Sequence, residues 1–247
     1  MSLSFWAKTS GTWINVITVL CGTGVGLLLN NRLPQKMQQI ITQGIGLLTL
    51  WLGFTMAASL TKAQAGQIDG AVVGLLALIL GGICGEWWKI ETRLTSLGNW
   101  LKRRFRGRGR FTEGFVVTSL LFCVGPLALI GSLNNGLTGD KTLLVIKATM
   151  DGIVAIAFTS SYGVGVGFSA LTILLYQGSL SVAAGLLATT LPDPATDPRI
   201  FLVTGVGGLM ILGLGLDLLK VAKIRVASFL PGLIFAIPIY WLAERLS

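Results

Sequence analysis

Two opposite charges within an apolar segment are the strongest chemical signal in the sequence. Lys147 and Asp151 lie inside the apolar stretch 142–161, four residues apart. At this spacing both side chains occupy one face of a helix and can form an ion pair. A charge inside an apolar membrane segment is costly, so it is usually paired or functional. Two interpretations stay open: a self-neutralising structural pair, or a cation or proton site in which Lys147 holds or competes for Asp151.

A predicted helix break lies in the preceding apolar stretch, 114–134. Gly125 and Pro126 should interrupt the helix and leave backbone carbonyls unpaired, with Ser132 and Asn134 following. Hydroxyl, amide and carbonyl oxygens are the ligands that hard cations such as sodium prefer. The alternative for Asn134 and its neighbour Asn135 is a turn at the membrane surface.

Other residue types further limit the kinds of site that the chain can form. Asn15 and Gln177 each place an amide in an apolar segment and are weaker candidate ligands for an ion or substrate. The chain has no His, and Cys21, Cys84 and Cys123 are far apart in apolar runs, so we expect neither a transition-metal site nor a cofactor. With no recognisable nucleophile and no catalytic carboxylate pair, we do not expect an enzyme.

The elements that position these residues are predicted from composition. Of the 247 residues 53% are hydrophobic and 12% charged, with a mean hydropathy of +0.77. A soluble domain has about 25% charged residues, which excludes a cytosolic or secreted enzyme. Helical spans of about 20 residues are expected instead. We predict an all-α polytopic transmembrane helix bundle, one domain over 1–247, with spans near 12–30, 37–60, 68–88, 114–134, 142–161, 164–190, 199–219 and 225–243.

Loop charges predict the orientation of these eight spans. The third loop is strongly basic, and short basic loops stay in the cytoplasm. With that loop inside, both termini lie outside, and the first and seventh loops, which also carry basic residues, lie inside as well.

The third loop, 88–112, is predicted to be a basic amphipathic segment at the membrane surface. Apolar residues recur there at helical spacing. Beside a membrane, its basic run favours contact with anionic lipid over nucleic acid. The predicted lipid-binding residues are Lys102, Arg103, Arg104, Arg106, Arg108 and Arg110.

Similar motifs near the two ends of the chain predict an inverted repeat. Gly26-Leu27-Leu28, Leu33-Pro34 and Gly44-Ile45-Gly46 recur in order as Gly185-Leu186-Leu187, Leu191-Pro192 and Gly205-Val206-Gly207. Spans one to three would then correspond to spans six to eight with opposite orientation, a construction found in secondary transporters. The alternative is chance similarity in a chain rich in Gly and Leu. Glycine-rich helix faces also make a homodimer plausible.

Several motifs resemble one family over nearly the whole chain. They are Gly11-Thr12-Trp13-Ile14-Asn15, Gly125-Pro126-Leu127-Ala128-Leu129, Lys147-Ala148-Thr149-Met150-Asp151-Gly152 and Tyr176-Gln177-Gly178. They resemble the YqgA family of uncharacterised bacterial integral membrane proteins, in places described as a possible sodium channel or pump. The resemblance implies a multi-pass protein of the bacterial plasma membrane and suggests ion transport.

Two functional hypotheses follow. The first is a sodium- or proton-coupled cation transporter or channel, with Asp151 as the charged ligand. The second is a non-transporting scaffold or lipid-binding protein that acts through the basic loop. The expected partners are membrane lipid, a monovalent cation and a second copy of the chain, and no nucleic acid.

Overall fold

The protein is described by a computed structural model, which covers residues 4–30, 34–187 and 196–246. Within these ranges the regular structure is helical, apart from one isolated bridge between Ala65 and Ile68, so the predicted all-α fold is confirmed. The α-helices are α1 (Phe5–Asn30), α2 (Gln35–Ala57), α3 (Gly70–Trp87), α4 (Ile90–Arg104), α5 (Phe111–Cys123), α6 (Pro126–Thr138), α7 (Thr142–Tyr162), α8 (Ser169–Leu187), α9 (Pro198–Leu218) and α10 (Leu230–Leu246).

Most of these helices have the length and apolarity that crossing a membrane requires. In the part of the chain that the structure describes, seven helices qualify, and α5 with α6 would make an eighth if the bent pair is one span. These segments coincide closely with the eight predicted from apolar runs. The remaining helix, α4, is the amphipathic helix predicted in the third loop, and its last turn carries Lys102, Arg103 and Arg104.

The break between α5 and α6 has a local cause. The two helices are bent by 60°, and Gly125 between them is extended, with φ of 174° and ψ of 152°. Proline disfavours helical backbone in the residue before it and fits well as the first residue of a helix, which is the position of Pro126. The interruption therefore lies at the Gly125–Pro126 step that the sequence singles out.

The chain forms two compact units. The first unit comprises Met1–Ile45 and Leu97–Pro194, and the second comprises Gly46–Ser96 and Ala195–Ser247. Two compact units can belong to one transmembrane domain, so the single domain predicted over 1–247 stays a prediction.

In the first unit, α1 packs closely against α7 and α8. Gly22 lies against the carbonyl group of Gly152, and Gly26 lies against Thr159, so side chains larger than hydrogen are excluded from this α1–α7 contact. A methyl group at Gly178 of α8 would lie 3.9 Å from Thr12 Cγ2, and one at Gly167, two residues before α8 begins, would lie 2.9 Å from Thr23 Cγ2. Because the residue numbers along this segment fall as the α1 numbers rise, α1 and α8 run antiparallel.

In the second unit, glycines make reciprocal contacts between α2 and α9. A methyl group at Gly53 would lie 2.8 Å from Leu212 Cγ, and one at Gly215 would lie 2.9 Å from Leu50 Cγ. Gly215 follows Gly53 by 162 residues, and Leu212 follows Leu50 by the same number. The second contact is therefore the first with the two helices exchanged, as a local two-fold axis between them would require.

A second pair of contacts has the same register. Gly46 faces Leu219, and Gly208, which lies 162 residues after Gly46, faces Ala57, which lies 162 residues before Leu219. This constant offset relates α2 to α9, one of the three helix pairs that the predicted inverted repeat would relate, and gives that pair a register. The separations of the sequence motifs, by contrast, vary by up to three residues (Gly26 to Gly185, Leu33 to Leu191, Gly44 to Gly205), and part of those motifs lies outside the described residues.

Candidate ion-binding site

Four polar side chains from three helices of the first unit form one buried cluster. Asp151 Oδ2 pairs with the ammonium group of Lys147 one turn earlier on α7. The same oxygen accepts a hydrogen bond of 2.9 Å from Asn15 Nδ2 on α1, which also donates one of 2.9 Å to Gln177 Oε1 on α8. We call Asn15, Lys147, Asp151 and Gln177 the amide–carboxylate cluster. The sequence names all four as candidates, and the structure brings them together.

The cluster is buried at the middle of its helices. Asn15 and Gln177 have no exposed surface, and Lys147 and Asp151 are 6% and 8% exposed. Asn15, Asp151 and Gln177 are close to the midpoints of α1, α7 and α8. At about 1.5 Å per residue, each lies on the order of 15 Å from the nearer end of its helix. Substrate and ion sites of secondary transporters lie at this depth in the bilayer.

The charges in the cluster balance formally. One ammonium and one carboxylate face each other, and Lys147 Nζ also lies 5.8 Å from the centre of the Phe122 ring on α5, a cation–π geometry. Phe122 is close to the Gly125–Pro126 break, so the interrupted span passes near the cluster. The pairing is compatible with a purely structural role and with a cation site that Lys147 fills.

Unpaired polar atoms distinguish this region of the first unit. Asn15 Oδ1 accepts no hydrogen bond and Gln177 Nε2 donates none, although both are fully buried. Among the described residues, the other buried side-chain atoms without a partner are Thr12 Oγ1, Trp13 Nε1, Thr23 Oγ1, Ser132 Oγ, Thr159 Oγ1 and Ser181 Oγ. All eight belong to the first unit. Buried polar groups in native proteins are nearly always satisfied by protein, water or a ligand, and the described part of the chain supplies no partner for these eight atoms.

Close backbone packing brings the cluster's helices together. Because Gly22 and Gly152 allow α1 and α7 to touch, the short Asn15 side chain reaches Asp151. Asn15 and Gln177 are also 162 residues apart, the offset found between α2 and α9. Their hydrogen bond therefore joins equivalent positions of the predicted repeat.

The two asparagines of α6 have different surroundings. Asn134 is half-buried, whereas Asn135 is fully buried and bridges α6 to α1. Asn135 Oδ1 accepts from the Gly11 N–H at 3.0 Å, and Asn135 Nδ2 donates to the Ala7 carbonyl at 3.1 Å. Sequence reasoning named Asn134 and did not find this role. The signal was the three-residue spacing from Ser132, which places Asn135 on the same buried face of α6.

The predicted lipid-binding residues divide into two groups. Arg103, Arg104, Arg106 and Arg108 are exposed. The other two make contacts within the chain: Lys102 Nζ donates to the Gly109 carbonyl at 2.7 Å, and Arg110 pairs with Glu113 and lies over the Tyr162 ring.

The ion pair with Glu113 favours the protonated form of Arg110. Its hydrogen bonds to Glu113 raise the pKa of the Arg110 guanidinium above its usual range. Arg110, although partly exposed, is thus held against Glu113 and Tyr162 at the end of the loop, whereas Arg103, Arg104, Arg106 and Arg108 are exposed.

No cluster of ligands for a transition metal occurs in residues 4–30, 34–187 and 196–246, where no three His, Cys, Asp or Glu side chains converge. The amide–carboxylate cluster offers oxygen ligands instead. The cluster holds one carboxylate, whose charge Lys147 balances.

Comparison with known proteins shows a family of membrane proteins. The family described as "Protein of unknown function (DUF554)" matches residues 10–241. The chain is 29% identical over 232 residues to the "Uncharacterized protein YqgA" of Escherichia coli (strain K12), covering 93% of this chain and 95% of that protein. It is 27% identical over 224 residues to the "Uncharacterized membrane protein YdfK" of Bacillus subtilis (strain 168), covering 91% and 92%. No solved structure matches the chain.

Proposed function

The chain belongs to the DUF554 family of integral membrane proteins of unknown function, and from this premise we propose that it is a transporter or channel for a monovalent cation. The observation that carries the proposal is Asp151, a carboxylate buried at the middle of a membrane-spanning helix and surrounded by amides that are only partly hydrogen-bonded.

The geometry suggests how such a site would work. A cation entering the cluster competes with the Lys147 ammonium for Asp151 and finds Asn15 Oδ1 as a second oxygen ligand. When the cation leaves, Lys147 neutralises the carboxylate again. The pair thus keeps the bundle stable without the cation, because an unpaired charge would be costly in this environment.

Cation-dependent thermal stability tests this binding site. A ligand that binds only the folded state stabilises it by about 2.7 kcal/mol at 100 times its Kd. We expect sodium or potassium chloride, compared with choline chloride at equal ionic strength, to raise the melting temperature of the purified protein. The increase should be lost in Asp151→Asn and retained in Asp140→Asn, where Asp140 is an exposed carboxylate that accepts a hydrogen bond from the Thr142 N–H.

One further variant controls for loss of folding. Asp151→Asn leaves Lys147 buried without a counter-charge, so the double variant Lys147→Gln/Asp151→Asn, which removes both charges, is measured beside it. A cation-dependent increase that persists in this folded double variant, or no increase in the wild type, would contradict the proposed site.

The exposed arginines favour a second candidate function, binding of anionic lipid through the third loop. Arg103, Arg104, Arg106 and Arg108 provide four accessible charges at the end of amphipathic α4. Vesicles of phosphatidylglycerol should then compete better than phosphatidylcholine vesicles for the protein in nanodiscs, and replacing all four by Gln should remove the difference. A scaffold would depend on these charges, whereas a transporter would keep its flux without them.

The proposal also covers the location, orientation and oligomeric state of the protein. The protein would be a multi-pass protein of the bacterial plasma membrane with its third loop in the cytoplasm and both termini outside. It would not be an enzyme, and it would act as a homodimer in contact with membrane lipid.

A further inference from the structure

Three buried hydroxyl groups beside the amide–carboxylate cluster have no partner. Thr12 on α1, Ser132 on α6 and Ser181 on α8 are each fully buried, and none of their oxygens takes part in a hydrogen bond. Hydroxyls within helices usually donate to a carbonyl of the preceding turn. On the same helices, Thr9 does so to Phe5 and Thr138 to Asn134. The three unpaired hydroxyls are therefore exceptions.

Helix direction places two of these hydroxyls on the same side of the cluster. Thr12 precedes Asn15 by about one turn of α1, and Ser181 follows Gln177 by about one turn of α8. Since α1 and α8 are antiparallel, both turns lie toward the N-terminal end of α1. Thr12 lies next to α8, since its Cγ2 is 3.9 Å from where a methyl group on Gly178, three residues before Ser181, would be.

Helix α6 brings the third hydroxyl to this position. Gly136 of α6 lies against the carbonyl group of Ser181, and Asn135 bonds to the backbone of α1 at Gly11, next to Thr12. Ser132 is one turn from both Asn135 and Gly136 and shares their buried face. Three helices that pack on one another thus each present one unpaired hydroxyl near the same level.

We propose that Thr12, Ser132 and Ser181 form a second, uncharged binding site for the transported cation, about one helical turn from the amide–carboxylate cluster. This inference rests on the proposed function. Hydroxyl oxygens replace part of the hydration shell of a monovalent cation but supply no charge, so they bind it more weakly than Asp151 does. A weak neutral site beside a charged one lets the cation enter and leave, as conduction requires. The site lies on the path from the cluster to the N-terminal end of α1.

The test is cation flux into proteoliposomes under a sodium or potassium gradient. The hydroxyls are removed singly by Thr12→Val, Ser132→Ala and Ser181→Ala, with Asp151→Asn as the inactive reference. The matched controls are Thr9→Val, a buried hydroxyl that bonds to its own helix, and Ser179→Ala, an exposed one. We expect each site variant to lower the initial rate about tenfold, the scale of one lost ligand to a charged group, and each control to keep it.

Thermal stability separates a lost ligand from a packing defect. Removing an unpaired buried hydroxyl restores apolar packing, so the melting temperature of the three site variants should be unchanged or higher. A lower rate together with a lower melting temperature would overturn the second site, because it would indicate damaged packing.

The outcomes also separate this inference from the proposed function. Normal rates in all three site variants, with flux abolished in Asp151→Asn, would overturn the second site. The three hydroxyls would then bind only water, and the proposed transport function would stand. No flux in folded wild-type protein would overturn both.

Discussion

At the scale of single residues, the molecule depends on a few buried side chains with specific partners. Asn135 accepts a hydrogen bond from the N–H of Gly11 and donates one to the C=O of Ala7, one turn earlier on α1. One amide thereby attaches α6 to the backbone of α1. The sequence predicts a polar residue in this region, but the spacing from Ser132 selects Asn135 over Asn134 only if Ser132 is buried, and the orientation of α6 decides that.

Asn135 offers a direct stability prediction. In Asn135→Ala the Gly11 N–H and Ala7 C=O lose their side-chain partner, and we expect a loss of about 1–3 kcal/mol in the free energy of unfolding. Thermal or denaturant unfolding in detergent measures the loss. Asn134→Ala, at the half-buried neighbouring position, should change stability much less. Equal effects of the two substitutions would contradict the bridging role of Asn135.

The ion pair offers a second prediction at this scale. Lys147→Gln should destabilise the protein by about 3–5 kcal/mol, because Asp151 is left as a buried charge with no counter-ion. Combining it with Asp151→Asn should recover most of the loss, since no charge then remains. A double-mutant cycle of unfolding free energies measures the coupling, and additive effects would show that the two charges do not depend on each other.

At the scale of helices, glycines determine which elements touch. Apolar run length and the Gly125–Pro126 step suffice to predict the helices and the break in the fourth span, since both depend on local sequence. The contact between α2 and α9 could not be predicted in the same way. Its 162-residue register is defined by which residue of one helix each glycine of the other contacts. Short repeated motifs in a Gly- and Leu-rich chain do not determine that register.

The reciprocal contacts predict matched effects of two distant substitutions. Gly53→Ala and Gly215→Ala each add a methyl group less than 3 Å from a leucine of the facing helix, so each should cost about 1–3 kcal/mol, and the two costs should be similar. Gly44→Ala is the control, because a methyl group there meets nothing within 4 Å and Ala favours the helix. Unfolding free energies in one detergent give the comparison. A large cost at only one of the two glycines would contradict a local two-fold relation.

At the scale of the whole molecule, the number of crossings decides the orientation. Both termini lie on one side of the membrane only if that number is even, so the proposed orientation requires α5 and α6 together to cross once, as a broken span. Loop charge predicts which side this is, because the basic third loop should face the cytoplasm. This orientation is predicted from the sequence alone, because loop charge and apolar length do not depend on how the helices pack.

Cysteine labelling tests this orientation. In a variant whose three native cysteines are replaced, Ser4→Cys and Arg245→Cys should react with a membrane-impermeant maleimide in intact cells. Arg106→Cys in the third loop should react only after permeabilisation. Termini on opposite sides would mean that α5 and α6 re-enter rather than cross, and labelling of position 106 from outside would reverse the orientation.

Passage of a cation across the membrane by way of Asp151 is measured most directly by solid-supported-membrane electrophysiology. Proteoliposomes with purified protein are exposed in turn to steps of sodium, potassium and proton concentration, beside identical preparations of Asp151→Asn and Asp140→Asn. We expect a saturable current for at least one cation in the wild type and in Asp140→Asn, and no such current in Asp151→Asn. Silence with every gradient from folded, inserted wild-type protein, or an undiminished current in Asp151→Asn, would show that no cation takes this route.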